Sequence, residues 1–177
     1  SGHLCQKPQP DSFSCSTTKI MTAIVALENY QLGDILTVKT APQDGRLMGL
    51  QVGNQLTVEA LLYGTLVNSG NDAAYALAEN FPQGMENFIA LMNEKAKELN
   101  MNNTHFNGVT GLEREKSHTS SIDLTRLSAY ALAKPVFKKI VSTREITVID
   151  ATGQKKYFLE NLNKLFGKVE GVSGVKT

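Results

Sequence analysis

The stretch "SFSCSTTKIMTAIVALENY", Ser12–Tyr30, decides how this chain is read. Ile20, Met21, Ala23, Ile24, Val25, Ala26 and Leu27 leave no wide polar face. The helix expected from about Thr17 to Tyr30 should therefore be buried on most sides. Ser16 and Lys19 stand at its front, three residues apart. A lysine in the first turn of such a helix works against stability twice. Its charge opposes the positive end of the helix dipole, where Asp or Glu is favoured, and burial draws its ammonium out of water. The same features suit chemistry. Residues three apart share a helix face, so the amine and the hydroxyl should meet. Desolvation, the dipole and any second cation disfavour the charged amine. A neutral amine can take the proton of a hydroxyl as that hydroxyl attacks a carbonyl. The Ser16 N–H, unpaired at a helix start, would then hold the developing oxyanion.

The 177 residues suffice for one domain with a real core. Lys+Arg 18 nearly balance Asp+Glu 17, and no basic cluster interleaves with aromatics, so nothing points to nucleic acid or an anionic surface. No apolar run is long enough to span a bilayer. Cys5 and Cys15 form no CxxC pair and have no His at zinc spacing. They read as two buried or unpaired thiols, or as a disulfide in an oxidising compartment. No paired-His pattern supports a metal, and no cofactor is expected. The missing initiator Met, the turn-like Ser1-Gly2 and the abrupt end at "GVSGVKT" read as a piece of a longer polypeptide.

Along the chain, "LGDILTVKT" predicts a turn at Gly33-Asp34 and a short strand. Thr57 is placed to cap a helix through "VEALLYGTLV", which "NSGND" breaks before "AAYALAENF" resumes it. Phe88, Leu91, Met92, Ala96 and Leu99 share one face of an amphipathic helix. "NNTHFNGVTGLEREKSHTSS" is a polar loop long enough to suggest function. "SIDLTRLSAYALA" predicts a helix ending near Pro135, and "EITVIDATGQKKYFLE" a hairpin about Thr152-Gly153.

Two further segments carry candidate chemistry. In "VNSGNDAAYALAE", Ser69 and Asn71 flank a glycine that allows close approach to a ligand. Ser69 can relay a proton, and the Asn71 amide can donate and accept toward a peptide bond. Read structurally, the same residues form a helix break with a new N-cap. The terminal "VKT" would present Lys176 and Thr177 along a strand, a cation and a hydroxyl suited to an anionic substrate end. Each motif alone is weak, because short patterns of this kind arise by chance.

Together, "STTK" at Ser16–Lys19, "SGN" at Ser69–Asn71 and "KT" at Lys176–Thr177 follow the order of the S-x-x-K, S-D-N and K-T-G set of class A β-lactamases and penicillin-binding proteins. The longer phrases "LTVEALLYGTLVNSGNDAAYALAE" and "FIALMNEKAKELNMNNTHFNGVTGL" resemble the D-alanyl-D-alanine carboxypeptidases, the low-molecular-mass penicillin-binding proteins. The resemblance runs from about Ser12 to Thr177.

It implies an α+β fold of the β-lactamase/penicillin-binding-protein-like transpeptidase type: an antiparallel sheet covered by helices, with a helical lobe. Residues 1–177 would be a helix-rich part of one acyl-serine transferase domain, truncated at both ends. The implied reaction removes the terminal D-alanine from a peptidoglycan stem peptide ending in D-Ala-D-Ala. Ser16 would be the nucleophile, Lys19 the base and Ser69 a proton relay. Asn71, Lys176 and Thr177 would bind substrate, and β-lactams would acylate Ser16. The implied location is extracytoplasmic, with any membrane association through a segment outside this chain.

Three departures from the family pattern stand out. No glycine is seen after Thr177, alanine is usual where Cys15 stands, and "SHTSSIDL" is slightly short, so His118 receives no role. The nearest rival is a serine β-lactamase, but "ENLN" at Glu160–Asn163 is one residue short of the class A E-x-x-L-N phrase. A non-turnover penicillin- or muropeptide-sensing domain is the other alternative.

Overall fold

The computed structural model describes residues 12–112 and 117–163, with the backbone alone for 12–16. Helix α1 (Ser12–Asn29) forms the axis of the core. Ile20, Met21, Ala23, Ile24, Val25 and Ala26 are all buried, as a helix with no polar face requires. It packs against α2, α3, α4 and α5, whose bounds follow.

Strands β1 (Ile35–Thr37) and β2 (Gln55–Thr57) pair antiparallel, with Leu36 opposite Leu56. Thr57 then caps α2 (Val58–Leu66), its side chain accepting from the Ala60 N–H at 3.2 Å. All of α2 except Glu59 is buried, and that acid stands in the first turn, where the dipole favours it. After the break come α3 (Asn71–Glu79) and α4 (Met85–Glu98). Phe88, Met92 and Ala96 are the buried stripe of α4, with Leu91 and Leu99 at its margins, as the spacing predicts. Tyr30, Phe81 and Phe88 stack edge to face, with ring centroids 5.9 and 5.5 Å apart. This tier joins the end of α1 to α4.

The long polar segment is tied down at several points. His105 and His118 exchange backbone hydrogen bonds of 2.9 and 3.1 Å, an isolated antiparallel bridge that joins the two sides of the loop. Asn93 on α4 brackets Phe106, donating to its carbonyl and accepting from its N–H, both at 2.8 Å. The buried Asp123 accepts from Asn103 N–H at 2.8 Å and from Thr104 Oγ1 at 2.9 Å. Burial raises the Asp123 pKa, but these hydrogen bonds, with Ser120 and the Arg126 charge, outweigh it and hold the carboxyl below the usual range.

Helix α5 (Ser121–Leu132) ends as expected, but Pro135 opens a further helix, α6 (Pro135–Val141), that the sequence reading missed. A proline at the first helical position sacrifices no hydrogen bond, and Phe137, Ile140 and Val141 give the short helix a buried face. The closing hairpin pairs β3 (Glu145–Ile149) with β4 (Lys156–Glu160) around Thr152-Gly153. Its turn docks on the first hairpin: Ala151 N–H donates to the Gln55 carbonyl at 2.8 Å. Among the described residues the strands thus form two separate antiparallel pairs beside a helical body, an α+β arrangement.

One expectation about α1 is corrected. The helix begins at Ser12 rather than near Thr17, since neither glycine nor proline stands between Ser12 and Lys19 to stop it. Ser16 and Lys19 therefore lie in the second turn.

Glu28, near the end of α1, collects three helices. It accepts from Tyr130 Oη on α5, from Lys95 Nζ on α4 at 2.9 Å and from Lys134 Nζ ahead of α6 at 2.9 Å. Burial pushes its carboxyl up, but the hydrogen bonds from Tyr130, Lys134 and Lys95 prevail and bring it down from 4.5 to about 2. A carboxyl depressed by folding contributes stability that is complete above the unfolded value and fades as pH falls toward the folded one. Glu28→Gln should lower the melting temperature by about 2–4 °C at neutral pH, screening keeping the effect small. The difference from wild type should shrink between pH 4.5 and about 2. Thermal melts across that range check it.

Candidate active site

Lys19 is 4 % exposed, and its Nζ donates to the Thr110 carbonyl at 3.1 Å. The amine thus points inward to the long loop, away from bulk water. One turn further on, Thr22 Oγ1 donates to the neighbouring Val109 carbonyl at 2.8 Å. Two adjacent carbonyls of the loop are therefore fastened to the same face of α1. Ser16 precedes Lys19 by one helical turn. The dipole argument loses force, because the effect falls off within the first turn; burial remains. A backbone N–H in the second turn also belongs to the helical ladder, so the expectation of a free Ser16 donor is withdrawn.

The "NSGND" break joins α2 to α3, and α1 packs on both helices. Ser69 is 8 % exposed and left-handed, with φ +57°. A non-glycine residue in that region is held there by its surroundings. Gly70 is the N-cap of α3 and makes no side-chain cap. A Cβ there would stand 3.2 Å from both the Gly64 carbonyl and the Met48 N–H, so close approach explains the glycine.

Asn71 is buried. Its N–H donates to Arg46 O at 2.7 Å and its Nδ2 to Asp44 O at 2.9 Å. Its Oδ1 is buried with no hydrogen bond among the described residues. A buried acceptor without a donor is costly in isolation and is suited to a ligand N–H. The sequence reading allowed both amide ends to face a substrate; the structure commits a donor to the protein and leaves the acceptor. Lys176 and Thr177 lie outside the described residues.

Sequence reasoning missed two participants. The Thr110 carbonyl has no signature, because any residue supplies a carbonyl. Residues 44–50, which cover the break, drew no reading, and the clue was Asp72, taken for part of a helix break. His105 and His118 are exposed, as loop histidines should be.

The family model described as D-alanyl-D-alanine carboxypeptidase, Peptidase S11, matches residues 6–177. D-alanyl-D-alanine carboxypeptidase DacF of Bacillus subtilis is 36% identical over 169 residues, covering 92% of this chain and 43% of the relative. The D-alanyl-D-alanine carboxypeptidase of Streptomyces sp. strain K15 is 34% identical over 180 residues, covering 92% and 62%. The chain thus spans 43% to 62% of the length of these two relatives. Among solved structures, the Streptomyces K15 DD-transpeptidase superposes with a TM-score of 0.84 at 34% identity, over 93% of this chain and 70% of that one. The D-alanyl-D-alanine carboxypeptidase of Mycobacterium tuberculosis H37Rv gives 0.83 at 29% identity, over 90% and 61%. The agreement takes in the whole of α1, the break before α3 and the body around them, and the chain belongs to the D-alanyl-D-alanine carboxypeptidase family.

Proposed function

We propose that this chain is the acyl-transfer part of a serine-type D-Ala-D-Ala carboxypeptidase, acting outside the cytoplasmic membrane, where peptidoglycan stem peptides are reached. The Ser16 hydroxyl attacks the carbonyl between the two terminal D-alanines. Its proton passes to Lys19 and, through Ser69, to the departing amine as the C–N bond breaks. One D-alanine leaves, and water hydrolyses the remaining ester to restore Ser16. Asn71 Oδ1 accepts an N–H of the peptide backbone, and Lys176 with Thr177 holds the terminal carboxylate. A β-lactam mimics the dipeptide and acylates Ser16.

The observation that carries this reading is the buried Lys19 amine, turned into the fold one helical turn from Ser16. A surface lysine at that spacing would have been an ordinary snorkelling side chain.

The test is release of D-alanine from a peptide ending in D-Ala-D-Ala, followed with a D-amino-acid oxidase. Steady release, abolished by prior treatment with benzylpenicillin, is the expected result. Stable acylation by penicillin without D-alanine release would instead identify a sensing domain, and rapid hydrolysis of the antibiotic a β-lactamase.

A further inference from the structure

Asp72, beside the candidate Asn71, is 1 % exposed. Its two oxygens collect the N–H groups of three consecutive residues. Oδ1 accepts from Met48 at 2.8 Å, and Oδ2 from Gly49 and Leu50, each at 2.8 Å. Oδ1 also accepts from the Ala73 N–H of its own helix at 2.9 Å. Hydrogen bonds run the other way as well. Asn71 N–H, Asn71 Nδ2 and Asn68 Nδ2 donate to the carbonyls of Arg46, Asp44 and Leu47, at 2.7, 2.9 and 3.0 Å. Residues 44–50 are thus a strap fixed to the "NSGND" turn in both directions. The carbonyl of Asp44 can face only the NH₂ end of the Asn71 amide, so the strap also decides where Asn71 Oδ1 points.

We propose that Asp72 is a positioning residue for acyl transfer: by holding the 48–50 backbone it seats the strap, and the strap orients the Asn71 amide and keeps Ser69 in its left-handed conformation. This rests on the reading of the site given above. Replacing the acceptor-only carboxylate by an amide turns an NH₂ toward N–H donors, so Asp72→Asn loosens the strap with little change of shape. Gly45 offers a perturbation from the opposite side. It is exposed, has φ +74°, and a Cβ there would come within 2.4 Å of Asn71 Nδ2. Gly45→Ala therefore pushes the strap off Asn71 without touching Asp72.

The experiment measures the acylation rate of the full chain at saturating fluorescent penicillin, with the melting temperature recorded for each variant. Asp72→Asn and Gly45→Ala should each slow acylation by about 10–100-fold, the cost of a misplaced catalytic group, with less change in apparent binding. Val141→Ala, a core truncation on α6, should lower the melting temperature yet keep the wild-type rate. Should Asp72→Asn fail to fold, Gly45→Ala decides. A folded variant of either kind that acylates at the wild-type rate overturns this inference alone. A wild-type chain that takes up no penicillin overturns the reading of the site and this inference with it.

Discussion

Lys19→Met should slow acylation by a β-lactam by about 10²–10⁴-fold, the usual worth of a positioned general base, while the melting temperature holds or rises. The two effects have separate causes. Methionine fills the volume of the lysine stem with a flexible apolar chain, and the site is 4 % exposed, so an apolar replacement removes the cost of keeping an amine out of water. Loss of the hydrogen bond to the Thr110 carbonyl offsets part of that gain. A lysine serving only to fasten the loop to α1 would behave differently: stability would fall, and the rate per folded molecule would change little. Penicillin-uptake kinetics beside thermal melts separate the two.

Phe88→Ala should have the largest effect on stability. The ring is fully buried and sits edge-on to Phe81, which in turn meets Tyr30; the Tyr30 hydroxyl donates to the Leu77 carbonyl at 2.8 Å. Truncation opens a cavity in a tier that joins α1, the end of α3 and α4. Substitutions of this kind cost about 3–5 kcal/mol, a large share of the roughly 5–15 kcal/mol that holds a domain together. The urea midpoint should fall sharply with little change in slope. The acylation rate of the folded fraction should stay near wild type.

The helical body was legible in the sequence because its periodicities are strong. An apolar run without a polar face had to be central, and α1 is. The stripe Phe88–Met92–Ala96, the Thr57 cap and the Thr152-Gly153 hairpin follow from local rules that tertiary packing did not override. One helix was missed and one boundary misplaced, both for local reasons. Pro135 both ends and begins helices, and sequence favoured the ending. Between Ser12 and Lys19 no glycine or proline stands to delay the start of α1 to Thr17.

The site was legible by its side chains and not by its backbone. Lys19, Ser69 and Asn71 announce themselves as polar residues in places where apolar ones would pack better. The Thr110 carbonyl, the 44–50 strap and the left-handed Ser69 are properties of the main chain, and they appear only when the fold brings distant segments together. Asp72 lies between these cases. Its residue type was visible, but its partners lie more than twenty residues upstream, and a helix-cap reading accounted for it without them.

The central claim is that Ser16, one helical turn before the buried amine on α1, is the residue that becomes acylated. Peptide mapping by mass spectrometry after brief exposure to benzylpenicillin tests it most directly. A single penicilloyl adduct on Ser16 is the predicted result. An adduct on Ser69, on another residue or on none would contradict it.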